Sequence, residues 1–144
     1  MSIRIAGLDH LVLRVQDLEG MIAFYCNVLG AEVMWRRPEL GLVHLRVGCD
    51  MLDLVPVDGP LGMKGGAAPG AQGRNLDHFC FRVDPFDREA IVRHLETHRI
   101  QVGEIRPRFG AEGTGVSIYL ADPEQNTVEL KGPSDGKLPA TANS

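Results

Sequence analysis

Two histidines occupy equivalent positions in a sequence that occurs twice. Residues 8–15 read LDHLVLRV and residues 76–83 read LDHFCFRV, so five of the eight positions are identical and the other three are apolar in both copies. An isolated histidine on an inward strand face is more often a hydrogen-bonded core residue than a ligand. Two histidines at equivalent repeat positions, His10 and His78, instead favour ligands that meet at one metal ion.

Each copy ends in a strand-like run with an acidic residue between apolar neighbours. The acid is Glu129 in the second copy and Asp53 in the first. Two neutral imidazoles and one carboxylate form a familiar divalent-metal site, so we predict that His10, His78 and Glu129 bind the metal. Asp53 is one methylene shorter than Glu129. Direct ligation, ligation through water and pairing with an arginine all remain open for it.

Five further residues are candidates for substrate binding. They are His44, Tyr119, Arg14, Arg82 and Arg108. Arg14 and Arg82 share the predicted strand faces of the two histidines and are also possible partners for a buried Glu129. Tyr119 can donate a hydrogen bond to a substrate, although an amphipathic strand explains it equally well. Arg108 lies in a basic, glycine-rich stretch that is either an anion-binding loop or a solvated surface.

The elements that carry these residues follow one order in both copies. Residues 5–15 alternate as a strand, Asp17 is a plausible N-cap of the following helix, and Gly30 ends that helix. Further strands are predicted at 31–37, 41–48 and 51–57. In the second copy they are predicted at 76–83, 101–106, 116–121 and 127–131, with a helix from Asp87 to about His98. The fold class is therefore α+β, with two tandem βαβββ modules forming a cupped, barrel-like mixed sheet around a metal site.

The modules belong to one predicted domain of residues 1–132. Module one covers about 5–57 and module two about 75–132, and the linker 58–74 between them is rich in glycine and proline. Residues 106–115 form a second irregular stretch, and 133–144 are expected to be a mobile tail.

Composition excludes several classes of protein. The 144 residues carry a mild net charge of -4 and no basic cluster, which argues against a nucleic-acid partner. No apolar run approaches the roughly 20 residues of a membrane helix, and the N-terminus lacks a signal-peptide profile, so we expect a cytoplasmic protein. The three cysteines have no metal-knuckle spacing and are expected to be reduced thiols, mostly in the core.

The paired repeats, the two modules and the closing DPEQNTVEL sequence at 122–130 together resemble the vicinal oxygen chelate superfamily. This group contains glyoxalases, fosfomycin- and bleomycin-resistance proteins and extradiol dioxygenases. The resemblance covers about residues 5–132. It implies one divalent metal ion per site, held by His10, His78 and Glu129, and a homodimer. Glyoxalase I and methylmalonyl-CoA epimerase usually have a fourth ligand where this chain has Asp53.

The resemblance implies a metal-dependent lyase or isomerase of glyoxalase type that acts on a small oxygenated substrate, with or without a thiol cosubstrate. In this reaction the metal (Zn, Ni, Mn, Co or Fe(II)) stabilises an enediolate, and Glu129 or Asp53 is the general base. One alternative is an Fe(II) extradiol-type dioxygenase that uses only His10, His78 and Glu129. Another is a metal-free protein that captures a small molecule, like the bleomycin-resistance members.

Overall fold

The computed structural model describes residues 1–136, and the chain divides into two compact units. The first unit is Met1–Asn75 and the second begins at Leu76. Each unit is built around one four-stranded mixed sheet.

The first unit has a helix between its first and second strands. Its elements are β1 His10–Val15, α1 Leu18–Ala23, a π-helical segment Phe24–Val28, β2 Glu32–Arg37, β3 Leu42–Val47, β4 Asp50–Pro56 and a short 3-10 helix Gly62–Gly65. The strand order is β1-β4-β3-β2, in which β1 and β4 are parallel and the other pairs are antiparallel. The strand with the candidate His10 therefore lies directly beside the strand with Asp53.

The helix of the first unit begins and ends as its sequence predicts. A carboxylate oxygen of Asp17 accepts the backbone N–H of Gly20 at 3.0 Å, which caps the first turn. Gly30 follows the helical segment with φ +75°, a backbone conformation that favours glycine.

One face of the first sheet is apolar and buried. Leu13, Val15, Leu45 and Leu54 are fully buried, together with Tyr25 from the helical segment. His10 and Val12 alternate with these residues along β1 and are exposed within the unit. The predicted alternation of β1 is therefore confirmed, and its polar face is the one that carries His10.

The second unit repeats this order. Its elements are β5 Phe79–Arg82, α2 Arg88–Thr97, β6 Ile105–Gly110, β7 Gly113–Ala121 and β8 Thr127–Lys131. The strand order is β5-β8-β7-β6, with a parallel β5–β8 pair and antiparallel pairs elsewhere. The arrangement matches the first unit strand for strand.

The helix α2 is capped at its start but has no glycine at its end. The Asp87 carboxylate accepts the backbone N–H of Ala90 at 2.9 Å. Arg99, two residues after the last helical residue, adopts φ +59°, which places an arginine where a left-handed residue ends the turn. The predicted helix boundaries are confirmed to within a residue, although Arg99 gave no sequence signal for its end.

The predicted fold class is confirmed as α+β with two tandem βαβββ modules. The described residues form two separate four-stranded sheets, so the barrel-like closure of the prediction is wrong. The first strand begins at His10 and not at Ile5, because its partner β4 begins only at Asp50.

The prediction that residues 106–115 are irregular is also wrong. These residues form most of the hairpin of β6 and β7, which turns between Gly110 and Gly113. The strand predicted at 101–106 instead begins at Ile105. Pro107 argued against a strand in the sequence, since proline is rare in central strands. However, β6 is an edge strand, where proline is tolerated.

No helix within residues 1–136 is long and apolar enough to cross a membrane. The predicted mobile tail falls largely on residues 137–144, which lie outside the described residues. The predicted domain boundaries remain predictions.

Candidate metal and substrate site

The second unit brings together two of the three predicted metal ligands. Nε2 of His78 lies 3.4 Å from Oε2 of Glu129. Glu129 is buried in the centre of β8, where it pairs in register with Cys80 of β5 and Tyr119 of β7. An imidazole nitrogen and a buried carboxylate oxygen thus face each other on the polar side of the sheet.

The neighbouring Asp77 determines which nitrogen of His78 carries hydrogen. Nδ1 of His78 lies 2.5 Å from a carboxylate oxygen of Asp77. A carboxylate only accepts hydrogen bonds, so Nδ1 is the donor, and Nε2 presents a lone pair when the ring carries a single hydrogen. Two lone-pair atoms 3.4 Å apart repel unless a cation or a proton lies between them. The donor set therefore fits a divalent metal, for which imidazole and carboxylate are ordinary ligands.

Tyr119, predicted to bind substrate, lies beside this pair, and Arg108, predicted for the same role, lies against Tyr119. The rings of Tyr119 and His78 are 5.5 Å apart, and the Arg108 guanidinium carbon lies 3.9 Å from the Tyr119 ring centroid. Arg108 also donates to the Ser117 hydroxyl and pairs with Glu104, each at 2.8 Å. Nε of Arg108 is buried and has no hydrogen-bond partner among residues 1–136. Arg108 is therefore a largely buried residue of an ordered strand and not part of a solvated loop.

A cavity of about 410 Å³ opens next to the His78–Glu129 pair. Its lining includes Cys80, Arg82, Phe109 and Lys131 in addition to the two predicted ligands. Nε of Arg82 pairs with the Glu112 carboxylate at 2.5 Å. Arg82 is thus placed beside the cavity, as its predicted role in substrate binding requires, but with a carboxylate already bound.

Cys80 faces the cavity and is exposed within its unit, and Cys49 is exposed as well. The expectation that the cysteines lie mostly in the core is therefore wrong. Partial desolvation and the neighbouring Glu129 carboxylate raise the pKa of Cys80 to about 11. The thiol is neutral at physiological pH, which makes it a poor nucleophile and a poor metal ligand in this state.

His10 in the first unit makes the same kind of hydrogen bond as His78. Nδ1 of His10 lies 2.6 Å from a carboxylate oxygen of Asp9, which leaves Nε2 for a ligand. The hydrogen bond to Asp9 also raises the pKa of His10. Both histidines of the repeat thus have Nδ1 bound to the aspartate that precedes them.

Asp53 is engaged with another predicted site residue. Nδ1 of His44 lies 2.8 Å from Oδ1 of Asp53, and the two residues are register partners on β3 and β4. Asp53 is buried and His44 is partly buried. Within residues 1–136 the partner of the Asp53 carboxylate is therefore a histidine and not the arginine left open by the sequence, while ligation by Asp53 stays a prediction.

Arg14, the repeat partner of Arg82, has a structural role. Its guanidinium donates to three carbonyl oxygens: that of Gly62 at 3.0 Å, that of Ala67 at 3.0 Å and that of Gly66 at 2.6 Å. Gly65 packs so closely against the guanidinium that a Cβ there would collide with it. These contacts hold the loop after β4, which differs from the predicted contact with substrate.

Within residues 1–136, no group of three or more His, Cys, Asp or Glu side chains is close enough to hold a metal ion. The second unit brings two of the predicted ligands, His78 and Glu129, close to each other. His10 belongs to the first unit.

Three residues with a place in these sites were not predicted from the sequence. Asp9 and Asp77 belong to the repeat itself, and their identity in both copies was a signal for a shared role. Lys131 follows Glu129 by two residues, so strand alternation alone places it on the same face.

Comparison with known proteins now gives the class. Residues 7–130 match the family model of the Glyoxalase/Bleomycin resistance protein/Dioxygenase superfamily. The chain belongs to this superfamily, which confirms the resemblance drawn from its repeats. Membership supports a function of metalloenzyme type.

Two relatives illustrate the range of this class. The chain is 30% identical over 139 residues to the glyoxalase domain-containing protein RDO1 of Mycosarcoma maydis, covering 94% of this chain and 73% of RDO1. It is 32% identical over 117 residues to the mitochondrial methylmalonyl-CoA epimerase of Bos taurus, covering 78% of this chain. The matched part is 65% of the epimerase, just under two thirds of its length.

Solved structures share the fold over nearly the whole chain. An integron cassette protein from the mobile metagenome of V. cholerae matches with a TM-score of 0.74 and 27% identity, covering 93% of this chain and all of that protein. The fosfomycin resistance protein FosX of Listeria monocytogenes, solved with Mn(II) and sulfate, has a TM-score of 0.67 and 21% identity, covering 92% of this chain and 94% of FosX.

Proposed function

We propose that the protein is a divalent-metal-dependent enzyme of glyoxalase type, a lyase or isomerase that acts on a small oxygenated substrate. Its metal ligands in this proposal are His10, His78 and Glu129. The observation that carries it is the 3.4 Å approach of Nε2 of His78 to the buried Glu129 carboxylate, while Asp77 holds Nδ1. That arrangement favours a cation between the two atoms.

His10 is the proposed third ligand because its ring makes the same hydrogen bond as that of His78. Asp9 and Asp77 each bind Nδ1 of the next residue and leave Nε2 as the donor atom. A carboxylate on the remote nitrogen fixes the ring and increases its basicity as a ligand. Two nitrogen donors and one oxygen donor suit Zn, Ni, Mn, Co or Fe(II). The related fold of FosX from Listeria monocytogenes was solved with Mn(II).

Bound at this site, a divalent cation would act as a Lewis acid that stabilises the negative charge developing on substrate oxygens, as in an enediolate. Glu129 is the proposed general base, which takes a proton from the carbon next to a carbonyl and returns it to the substrate. The bovine relative is named as an epimerase, which supports proton chemistry of this kind.

Asp53 supports the reaction through His44 in this proposal. The buried Asp53 carboxylate accepts the Nδ1 hydrogen of His44, so Nε2 of His44 carries a lone pair and can take a proton. A base oriented by a buried carboxylate is a common catalytic arrangement. We therefore propose Asp53 as a positioning residue and His44 as the group on this strand face that contacts substrate.

Two variants test the metal site. Metal analysis of protein purified without chelator should give stoichiometric metal in the wild type and almost none in His10→Ala and His78→Ala, because each loses one of three ligands. His94→Ala, on the exposed side of α2, is the matched control and should keep its metal. Stoichiometric metal in both ligand variants would overturn the proposed site, and a metal-free wild type would favour a protein that only captures small molecules.

The site can form within one chain or between two copies of a homodimer, and a mixed sample separates these cases. His10→Ala and His78→Ala are coexpressed with different tags and the mixed dimer is isolated. If two copies share each site, one of the two sites in the mixed dimer regains both histidines and half of the metal returns. If each site lies within one chain, the mixed dimer stays empty.

A second candidate function is an Fe(II) extradiol-type dioxygenase. The bond between Asp53 and His44 favours it, because it leaves a three-ligand set such as these enzymes use. Anaerobically iron-loaded protein that consumes oxygen with catechols would support the dioxygenase. Isomerisation of a glutathione hemithioacetal would support the glyoxalase type and also a thiol cosubstrate.

A further inference from the structure

We propose that Lys131 binds an anionic group of the substrate, a carboxylate, phosphate or phosphonate, at the end of the cavity beside Glu129. This proposal adds a substrate class to the proposed function. It rests on that function in one respect, namely that the reaction occurs at the end of the cavity where His78 and Glu129 lie.

Lys131 is a buried lysine on the polar face of the second sheet. It is 5% exposed and follows Glu129 by two residues on β8, so both side chains lie on the same face. Its register partners are Arg82 on β5 and Ser117 on β7, which are polar as well. Lys131 also lines the cavity that contains the His78–Glu129 pair.

The ammonium of Lys131 has no carboxylate partner within residues 1–136. Nζ donates one hydrogen bond, to the carbonyl oxygen of Gly113 at 2.9 Å. An ammonium has three donors, and a buried cation is unfavourable when no anion compensates it. Unmatched positive charge at a cavity is what a ligand anion would neutralise.

The other cations of this face each have a carboxylate partner, although Arg106 and Arg108 share one. Arg82 pairs with Glu112 at 2.5 Å. Arg106 and Arg108 both pair with Glu104, at 3.4 and 2.8 Å. Lys131 therefore differs from these arginines in being both buried and without a carboxylate, and it is the cation of this group that is best suited to an incoming anion.

The spacing along β8 limits the size of the substrate. Residues two apart on one strand face are separated by roughly 7 Å along the backbone. A molecule that reaches both Glu129 and Lys131 is therefore a small acid, with its reacting oxygens at one end and its anionic group at the other.

A purely structural role for Lys131 is the competing explanation. Its hydrogen bond to Gly113 joins β8 to the turn of the β6–β7 hairpin, and Gly110 packs against its aliphatic chain. Such a role would make Lys131 important for stability but would give it no preference for charged ligands. The test must therefore measure charge selectivity as well as binding.

The experiment titrates the full-length protein with inorganic phosphate, acetate and the uncharged acetamide. Each titration is run with chelator and again with saturating Mn²⁺ and is followed by calorimetry. NMR shifts of the Gly113 amide are recorded in the chelator series, because paramagnetic Mn²⁺ would broaden this resonance. The variants are Lys131→Met, which keeps the aliphatic length, and Lys131→Arg, which keeps the charge. Lys64→Met is the matched control, since Lys64 is exposed in the first unit.

We expect saturable binding of phosphate or acetate in the wild type and none of acetamide, and the tighter anion identifies the group. Lys131→Met should weaken that binding about tenfold or more, whereas Lys131→Arg and Lys64→Met should stay within about threefold of the wild type. Equal affinity of Lys131→Met and the wild type would overturn the proposal, as would the absence of anion binding in the wild type.

If Lys131→Met does not fold, the ammonium signal of the wild type decides. The Lys131 Nζ resonance should shift with the bound anion and not with acetamide, and an unchanged resonance would overturn the proposal. The chelator arm separates the two proposals, because failure to bind Mn²⁺ refutes the metal site while anion binding at Lys131 can still be observed.

Discussion

The two modules share a strand order and a repeated sequence, yet they use equivalent positions differently. Arg14 in the first unit is bound to loop carbonyls, while its repeat partner Arg82 lines a cavity. Asp53 is paired with His44, whereas Glu129 faces Nε2 of His78. Both units thus keep the Nδ1 bond of the repeat histidine and a cavity beside it, which in the first unit is lined by His10, His44 and Asp53. They differ in the partner of the acidic residue and in the repeat arginine, which supports a loop only in the first unit.

The largest expected effect is on Mn²⁺ binding, and it distinguishes Glu129 from Asp53, the acidic residue at the equivalent position of the first unit. Glu129→Gln should weaken Mn²⁺ binding at least about 100-fold because it removes a ligand, and Asp53→Asn should weaken it less than about tenfold. Isothermal titration with Mn²⁺ measures both affinities. Equal losses in the two variants would make Asp53 a ligand and would restore the symmetry of the repeat.

The turn that precedes the last strand of each sheet, β4 or β8, also differs between the two units. The buried Asp122 carboxylate accepts hydrogen bonds from the backbone of Glu124 and Asn126 and from the Asn126 side chain, and this turn leads into the strand of Glu129. The corresponding turn before β4 uses Gly48 at φ +64° instead.

Asp122→Ala should therefore lower the free energy of unfolding by about 3 kcal/mol, because it leaves buried donors unpaired. Asp50→Ala, at the exposed start of β4, should change it by less than about 0.5 kcal/mol. Urea unfolding followed by circular dichroism compares the two. Equal effects would show that the hydrogen-bonded turn does not stabilise the second unit.

The two arginines of the repeat give a third comparison. Arg14→Met should lower the free energy of unfolding by about 1–2 kcal/mol, since three loop carbonyls lose a charged donor. Arg82→Met should lower it by less than about 0.5 kcal/mol, because its pair with Glu112 is partly exposed to solvent. The same urea experiment measures both variants, and a larger loss for Arg82 would contradict this difference between the two arginines.

The smallest expected effect concerns Cys80, where the first unit has Val12. Desolvation and Glu129 raise its pKa to about 11, so the thiol is protonated at lower pH and its reactivity should increase as the pH approaches that value. Glu129→Gln removes one cause of the raised pKa. At about pH 9 it should increase the thiolate fraction several-fold, and with it the rate of reaction with a disulfide reagent.

The rates are compared in a Cys26→Ala, Cys49→Ala background, so that only Cys80 reacts. Glu112→Gln is the control, since Glu112 lines the same cavity but is not a cause of the raised pKa. A rate unchanged by Glu129→Gln, or equally increased by Glu112→Gln, would contradict the account of Cys80.

The two modules could be predicted from the sequence because their strands, helix caps and turns depend on local interactions. Strand alternation, the caps Asp17 and Asp87 and the turn at Gly30 each depend on neighbouring residues, and all were correctly read. The stretch 106–115 was misread because its structure depends on pairing between β6 and β7, which composition does not reveal.

Side-chain partners were harder to predict than strand faces. Alternation correctly put Glu129 and His78 on the polar face, since that needs only a period of two. It did not reveal that Asp53 pairs with His44, or that Arg14 reaches the carbonyls after β4, because both contacts depend on register and loop geometry. Lys131 was within reach of the same alternation but was not considered.

We propose that one divalent cation is held by His78 and Glu129 together with His10. Crystals grown with Mn²⁺ would reveal this ion by its anomalous diffraction signal. We expect one peak per site about 2.0–2.3 Å from Nε2 of His78, a Glu129 oxygen and Nε2 of a His10 from the same or a second copy. A peak between Asp53 and His44, or no peak beside Glu129, would contradict it.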